Sequence, residues 1–280
     1  MKIQSTGGFG NQLFQWSYAH HLKLQQPNRR ITVFRDSVHS SDRESHLGLI
    51  ANKCTHSIQF GTSEATGRIL QALDKSATIS PQLSRIISKV FGIVTEDNQA
   101  QLEKLDTRTS KIVRGYFQSP QQMTQAIMQV LSELESTILS KVKIHKKPYP
   151  YQLIHIRRRD FISNRTTHGV LSMEYYLRNL SEGLPIIAIG DEEEPPRELF
   201  VKSKNFEYLN PKVCNEYDAM FLALNCEEFV MANSTFSWWC GLIAANRGRR
   251  VLMPAPWSRT PHVSANFDFP KFTSVESEFL

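Results

Sequence analysis

The sequence predicts an α/β protein built on parallel sheets and divided into two domains. Three observations carry that prediction. Short runs rich in Ile and Val alternate with helical patterns, the signature of strands joined by crossover helices. The basic, proline-bearing stretch KIHKKPYP, Lys143 to Pro150, separates a long helical pattern from a sharp strand. The chain has 280 residues, 40% of them hydrophobic, which suffices for two cores of ordinary size. The expected division is therefore 1–147 and 148–280.

Taken in order, KIQST reads as a strand, NQLFQWSYAHHLKLQ as a helix and RITVFRD as a second strand. A weakly patterned middle follows, then the strand SKIVRGYF and a helix from about Gln121 to Lys143. Past the linker the alternation is cleaner. YQLIHIRR, PIIAIGD, EFVMAN and RRVLMPA read as buried strands bounded by turn residues. Between them, SMEYYLRNLSEG, EPPRELFVKS, NEYDAMFLALNC and STFSWWCGLIAANRG carry helical patterns. Parallel sheets of this kind bind ligands at the carboxyl ends of their strands, where every motif below falls.

Composition excludes several classes. No apolar run approaches the roughly 20 residues of a membrane helix, and MKIQSTGG holds no apolar leader core. The expectation is a cytoplasmic protein, with at most peripheral contact at the inner face of a membrane. Net charge is +6 and the pI about 9.1, which suits acidic partners. The dense basic clusters are HKKPY and HIRRRDF, and neither is a basic helix interleaved with aromatics, so nucleic acid is not an expected partner. Cys54, Cys214, Cys226 and Cys240 show no CxxC pair and no neighbouring His at metal spacing, which favours buried free thiols.

Three segments carry chemistry. GGFGNQ, from Gly7 to Gln12, lies at a strand-to-helix turn. It holds two-thirds of a dinucleotide fingerprint: Gly8 and Gly10 are present, Leu13 stands where a third small residue belongs, and Asp36 closes the next strand. A sharp backbone turn alone also accounts for the glycines. Asn11 and Gln12 would present neutral amides at the sheet edge, suited to hydroxyl-rich ligands. HIRRRDF, His155 to Phe161, ends a strand with three successive arginines, and guanidinium pairs bidentately with phosphate oxygens. The alternative is a solvated strand end in which Asp160 pairs one arginine. Strand alternation sends neighbouring side chains to opposite faces, so one arginine is expected at the ligand and the other in an organising role. ANSTFSWW, Ala232 to Trp239, passes from strand to helix with Ser234 and Thr235 as cap candidates, and such a helix start is a ready anion site. Trp238 and Trp239 read as core. Two anion-binding devices in the second half and an amide-bearing turn in the first suit a diphosphate-bearing ligand better than a nicotinamide dinucleotide.

In order and spacing, GGFGNQLFQWSYA, RGYFQS, HIRRRDF and CEEFVMANSTFSWW resemble the motifs of glycosyltransferase family 11, the bacterial and animal alpha-1,2-fucosyltransferases. VLSMEYYLRNL and RRVLMPAPW add to the likeness, which runs from Gly7 to about Trp257. The resemblance implies a GT-B-like fold, two Rossmann-type domains with parallel sheets facing a cleft. It implies an acceptor side in 1–147 and a donor side in 148–280 that binds GDP-beta-L-fucose. The implied acceptor is a galactose-bearing glycan, free or lipid-linked. By motif position, Arg157 and Arg158 are implied as donor-phosphate arginines and His155 as a guanosine-side contact. Ser234, Thr235 and Phe236 are implied as the diphosphate loop, Asp191 as an acidic residue near the donor base, and Asn11 as facing the reacting sugars. The chain departs from the family where Arg159 replaces the glycine of HxRRGD, and where AIGDEEEP and GYFQSPQQM replace FSDD and GYFQSEKYF.

The implied chemistry is a single displacement with inversion, in which preorganised donors stabilise charge growing on the leaving diphosphate. Arg157, as the group nearest that charge, and Asn11, as an orienting group, are the catalytic candidates. No DxD motif stands out, so neither metal nor cofactor is expected. No catalytic base stands out either: His20 and His21 read as packing or surface residues, and His168 in TTHGV is a weak candidate. A transferase for another GDP-sugar, an NAD-dependent oxidoreductase built on the glycine turn, and a non-catalytic glycan-binding protein are the competing readings.

Overall fold

The computed structural model describes residues 1–35, 46–51, 58–96, 110–163, 169–202, 205–259 and 267–280. The chain divides into two compact units, Met1–Leu134 and Glu135–Leu280. Among the described residues no helix is long and apolar enough to cross a membrane.

The N-terminal unit holds a five-stranded parallel sheet. Its strands are β1 (Lys2–Ser5), β2 (Ile31–Arg35), β3 (Ile58–Thr62), β4 (Ile93–Thr95) and β5 (Ile112–Arg114), in the order β3-β2-β1-β5-β4. Helix α1 (Phe9–Gln25) follows β1 and buries Leu13, Phe14, Trp16, Tyr18, Ala19 and Leu22. His20 is buried with Nε2 3.5 Å from Glu133, a packing role as expected. The weakly patterned middle contains α2 (Leu47–Ala51), β3, α3 (Glu64–Ile79), α4 (Pro81–Phe91) and β4. Helix α3 has a legible apolar stripe, and β4 is only three residues long. The helix expected from Gln121 forms as α5 (Thr124–Lys141) after a 3-10 turn over Pro120–Met123.

The C-terminal unit holds six parallel strands: β6 (Gln152–Ile156), β7 (Ile186–Gly190), β8 (Phe206–Leu209), β9 (Glu228–Val230), β10 (Arg250–Ala255) and β11 (Thr273–Glu276). Their order is β11-β10-β9-β6-β7-β8. Numbered within the unit this is 6-5-4-1-2-3, the strand order of a doubly wound nucleotide-binding domain. Every residue of β6 is buried, as the Ile-rich run requires of a central parallel strand. On one face α7 (Met173–Arg178) places Tyr175 and Tyr176 against Ile154, Ile156, Ile186 and Val230. Three further helices are α8 (Arg197–Lys202), α9 (Glu216–Asn225) and α10 (Thr235–Asn246). In α10 Trp238 and Trp239 are fully buried, and Trp238 Nε1 donates to Phe267 O at 3.0 Å. Cys214, Cys226 and Cys240 are buried free thiols, and burial pushes Cys214 and Cys226 up to about 12. Cys54, Asp36 and His168 lie outside the described residues.

Candidate functional site

In a doubly wound sheet the crevice for a ligand opens where the strand order reverses, because the two flanking connections diverge there. In the C-terminal unit that point lies between β6 and β9. HIRRRDF leaves the carboxyl end of β6, and ANSTFSWW leaves that of β9. Two motifs about 75 residues apart in sequence thus meet at one sheet edge, by register of Leu153 with Phe229 and Ile154 with Val230.

The arginine turn is held by the neighbouring strand end. Asp191, directly after β7, accepts the backbone amides of Arg158 at 3.0 Å and Arg159 at 3.1 Å. The same carboxylate lies 3.4 Å from Arg157 Nε, and Glu192 lies 3.8 Å from Arg158 Nε. Arg157 also sits over the Phe161 ring, 5.8 Å from its centroid, and Arg158 Nη1 reaches Met173 Sδ at 3.3 Å. Each guanidinium is thereby steered by one acidic residue while staying partly exposed, with 26% and 22% of the side chains accessible. Asp191 is thus an organiser of the turn in this geometry. Arg159 opens a short helix, α6 (Arg159–Ser163). Phe117 is the one non-glycine with positive φ among the described residues, so position 159 accommodates an arginine without backbone strain.

His155 is buried at the end of β6, edge-on to Phe236 with ring centroids 5.6 Å apart. Burial, and then the nearby Arg157 charge, lower its pKa to about 3, so it is a neutral imidazole across the physiological range. Among the described residues its Nδ1 has no hydrogen-bond partner. Ser234 caps α10, accepting the Ser237 amide at 3.1 Å, and Ser237 Oγ accepts the Ala232 amide at 2.8 Å. No acidic residue lies in the first turn of α10, where Thr235 and Phe236 stand at the positive end of the helix. Asn233 Nδ2 ties this loop to Gly169 O at 3.1 Å.

The strand order of the N-terminal sheet also reverses, between β1 and β5, and there too both connections carry a motif. Gly7, with φ of +78°, makes the turn. A Cβ at this position would lie 2.8 Å from Asn11 Nδ2 and 3.2 Å from the Tyr116 ring, so only glycine fits. Gly10 is already inside α1, and Gly8 is its N-cap. Asn11 Oδ1 accepts from Gln118 Nε2 at 3.0 Å, joining GGFGNQ to RGYFQS. Gln12 corrects the sequence expectation. It is buried, its Nε2 donates to Gly7 O at 3.1 Å, and its Oε1 accepts the His46 amide at 3.2 Å. It braces the turn because the helix rotates it inward, and Asn11 stays at the edge.

Sequence reading missed Glu96. Its Oε2 accepts the amides of Tyr116 at 2.8 Å and Phe117 at 2.6 Å, clamping the turn in which Phe117 takes φ of 51°. Burial raises the Glu96 pKa, against the lowering effect of these two donors. Gly115 is required beneath it, since a Cβ there would lie 2.5 Å from Glu96 Cβ. Glu96 sits at the edge of a segment without periodic pattern, so no residue-type signal pointed to it.

Two Rossmann-type units with parallel sheets, one with a cationic turn and a helix start together at its switch point, make a GT-B-like fold. The chain belongs to glycosyl transferase family 11, whose model matches residues 73–268. It is 25% identical to the O-antigen biosynthesis glycosyltransferase WbnK of Escherichia coli, over 90% of this chain and 93% of that protein. It is 30% identical to an alpha-1,2-colitosyltransferase of Escherichia coli over 37% of this chain and 40% of that one. In fold it is similar to the Escherichia coli ADP-heptose lipopolysaccharide heptosyltransferase II, with a TM-score of 0.50, 13% identity, and coverage of 98% and 90% of the two chains.

Proposed function

We propose that this glycosyltransferase moves L-fucose from GDP-beta-L-fucose to a hydroxyl of a glycan acceptor, O2 of a galactose, with inversion. The observation that supports the reading most is the meeting of Arg157, Arg158 and the start of α10 at one switch point in a family 11 chain. Leaving-group departure concentrates negative charge on the diphosphate. Fixed guanidinium groups and helix-terminal amides stabilise that charge without reorganising during the reaction. Asp191 holds the two arginines in place. His155 and Phe236 form the wall beside them, and the neutral imidazole offers Nδ1 to the guanosine. Asn11, oriented by Gln118, receives the acceptor sugar. Ser234, Thr235 and Phe236 line the diphosphate. A glycan of a surface polysaccharide, lipid-linked, is the acceptor class that the relative named for O-antigen biosynthesis favours.

A second reading keeps the mechanism and changes the sugar, favoured by the relative named as a colitosyltransferase. A thermal-shift panel of GDP, GDP-fucose, GDP-mannose, the colitose nucleotide, UDP-sugars and NADH separates them, followed by turnover of whichever nucleotide sugar binds. The proposal expects stabilisation by GDP and GDP-fucose and release of GDP from GDP-fucose with acceptor present. Stabilisation by NADH but not GDP would overturn both readings.

A further inference from the structure

We infer that α4 is a docking surface for an anionic lipid membrane. The helix is well built: Ser80 caps its start, with Oγ accepting the Leu83 amide at 3.5 Å, and Pro81 follows it. Gly92 closes its end in the left-handed region, and its amide reaches Lys89 O at 3.3 Å. Yet no residue of this 11-residue helix is fully buried. Ile87 packs on the cluster formed by Phe34, Leu70, Leu73, Ile93 and Ile112, and that contact sets the inward side. Leu83, Ile86 and Val90 are 42%, 59% and 66% exposed, and at 100° per residue they fall within about 60° of one another, with Ile87 about 40° beyond Leu83 at the inner margin of the same apolar face. Ile79, 78% exposed, precedes the helix, and Phe91, 41% exposed, ends it. Exposed apolar residues scattered singly need no explanation, but an ordered stripe along a capped helix does.

The charges beside the stripe select the occupant. Arg85 and Lys89, both exposed and one turn apart, lie along one side of it, beyond Ile86, and the segment from Ser80 to Phe91 contains no Asp or Glu. A second copy meeting it α4 to α4 would bring the same two cations and no acidic residue from that helix. An anionic lipid surface satisfies both halves, taking the apolar stripe at the acyl boundary and the cations among the headgroups. At about 16 Å the helix is too short to span a bilayer and suits an orientation in the interface plane. The inference is independent of the donor's identity, since α4 contributes nothing to the arginine turn or to α10. It would place the protein where lipid-linked glycans lie.

Co-sedimentation of the full chain with phosphatidylethanolamine–phosphatidylglycerol vesicles, against phosphatidylcholine vesicles, tests this at low ionic strength. Wild type is expected to pellet with the anionic vesicles, and L83S/I86S/V90S to lose binding by more than about 100-fold. Each cation contributes a factor of about five, so R85Q/K89Q should bind about 25-fold more weakly. All three proteins should melt at the same temperature, because the altered side chains are exposed. Wild type that stays in the supernatant overturns the inference. So does equal pelleting of the triple-serine variant. A dimer seen by light scattering that the triple-serine variant abolishes, with no vesicle binding, would reassign the stripe to a subunit interface.

Discussion

Arg157 and Asn11 stand at different sheet edges and make distinct predictions. Arg157 faces the proposed leaving group, so Arg157→Ala should lower turnover by about 10²–10³-fold, the cost of one preorganised donor. Near-normal turnover would remove that arginine from the phosphate site. Asn11→Ala should lower kcat roughly tenfold with GDP affinity unchanged, since the amide is assigned to the acceptor sugar. A loss of GDP binding in that variant contradicts the assignment. His155 adds a stability signature. Its pKa falls to about 3 in the folded protein, against an unfolded value near 6.5. Between these values the unfolded chain binds the proton and the folded chain does not, so stability falls as pH drops through that window. The slope is about 1.4 kcal/mol per pH unit, and His155→Gln should flatten the acid limb of urea-unfolding stability by about 2 kcal/mol between pH 6.5 and 5. An unchanged slope would show that this imidazole is not held neutral.

At the scale of elements, the connections after β1, β5, β6 and β9 matter more than the strands. Three of them are braced by polar side chains: Gln12 and Gln15 of α1 for the glycine turn, Glu96 for RGYFQS, Asp191 for the arginines. Gln15 links two of them, accepting the Thr6 amide at 3.0 Å and donating to Gly115 O at 2.9 Å. Gly115→Ala tests the Glu96 clamp. The new Cβ meets Glu96, and φ of +156° is poorly tolerated by an alanine. Destabilisation of about 2 kcal/mol or more is expected in thermal melts. An alanine variant as stable as wild type would mean the turn is not clamped this tightly.

For the whole molecule, the chemistry is assigned to fixed cations and backbone dipoles of the C-terminal unit. Turnover is therefore expected to be unchanged after extensive EDTA treatment and dialysis. A strict divalent-metal requirement, restored by adding the ion back, contradicts this scheme. The oxidoreductase reading finds no support in the family, and within the turn Gly7, not Gly8, adopts the positive φ.

Local pattern was enough for the α/β class and the three motifs at strand ends. Buried Ile-rich strands, helix caps and arginine runs are visible in one dimension because their physics acts between near neighbours. Strands β3, β4, β8 and β11 were missed because they are short or half-exposed edge-side strands, formed by pairing with partners distant in sequence. Strand order was equally beyond local pattern, and it brings HIRRRDF beside ANSTFSWW and GGFGNQ beside RGYFQS. The inward turn of Gln12, the Glu96 clamp and the bare stripe of α4 belong to the same class of fact. Each depends on what packs against a residue, and that is decided by tertiary contacts between segments the sequence holds apart.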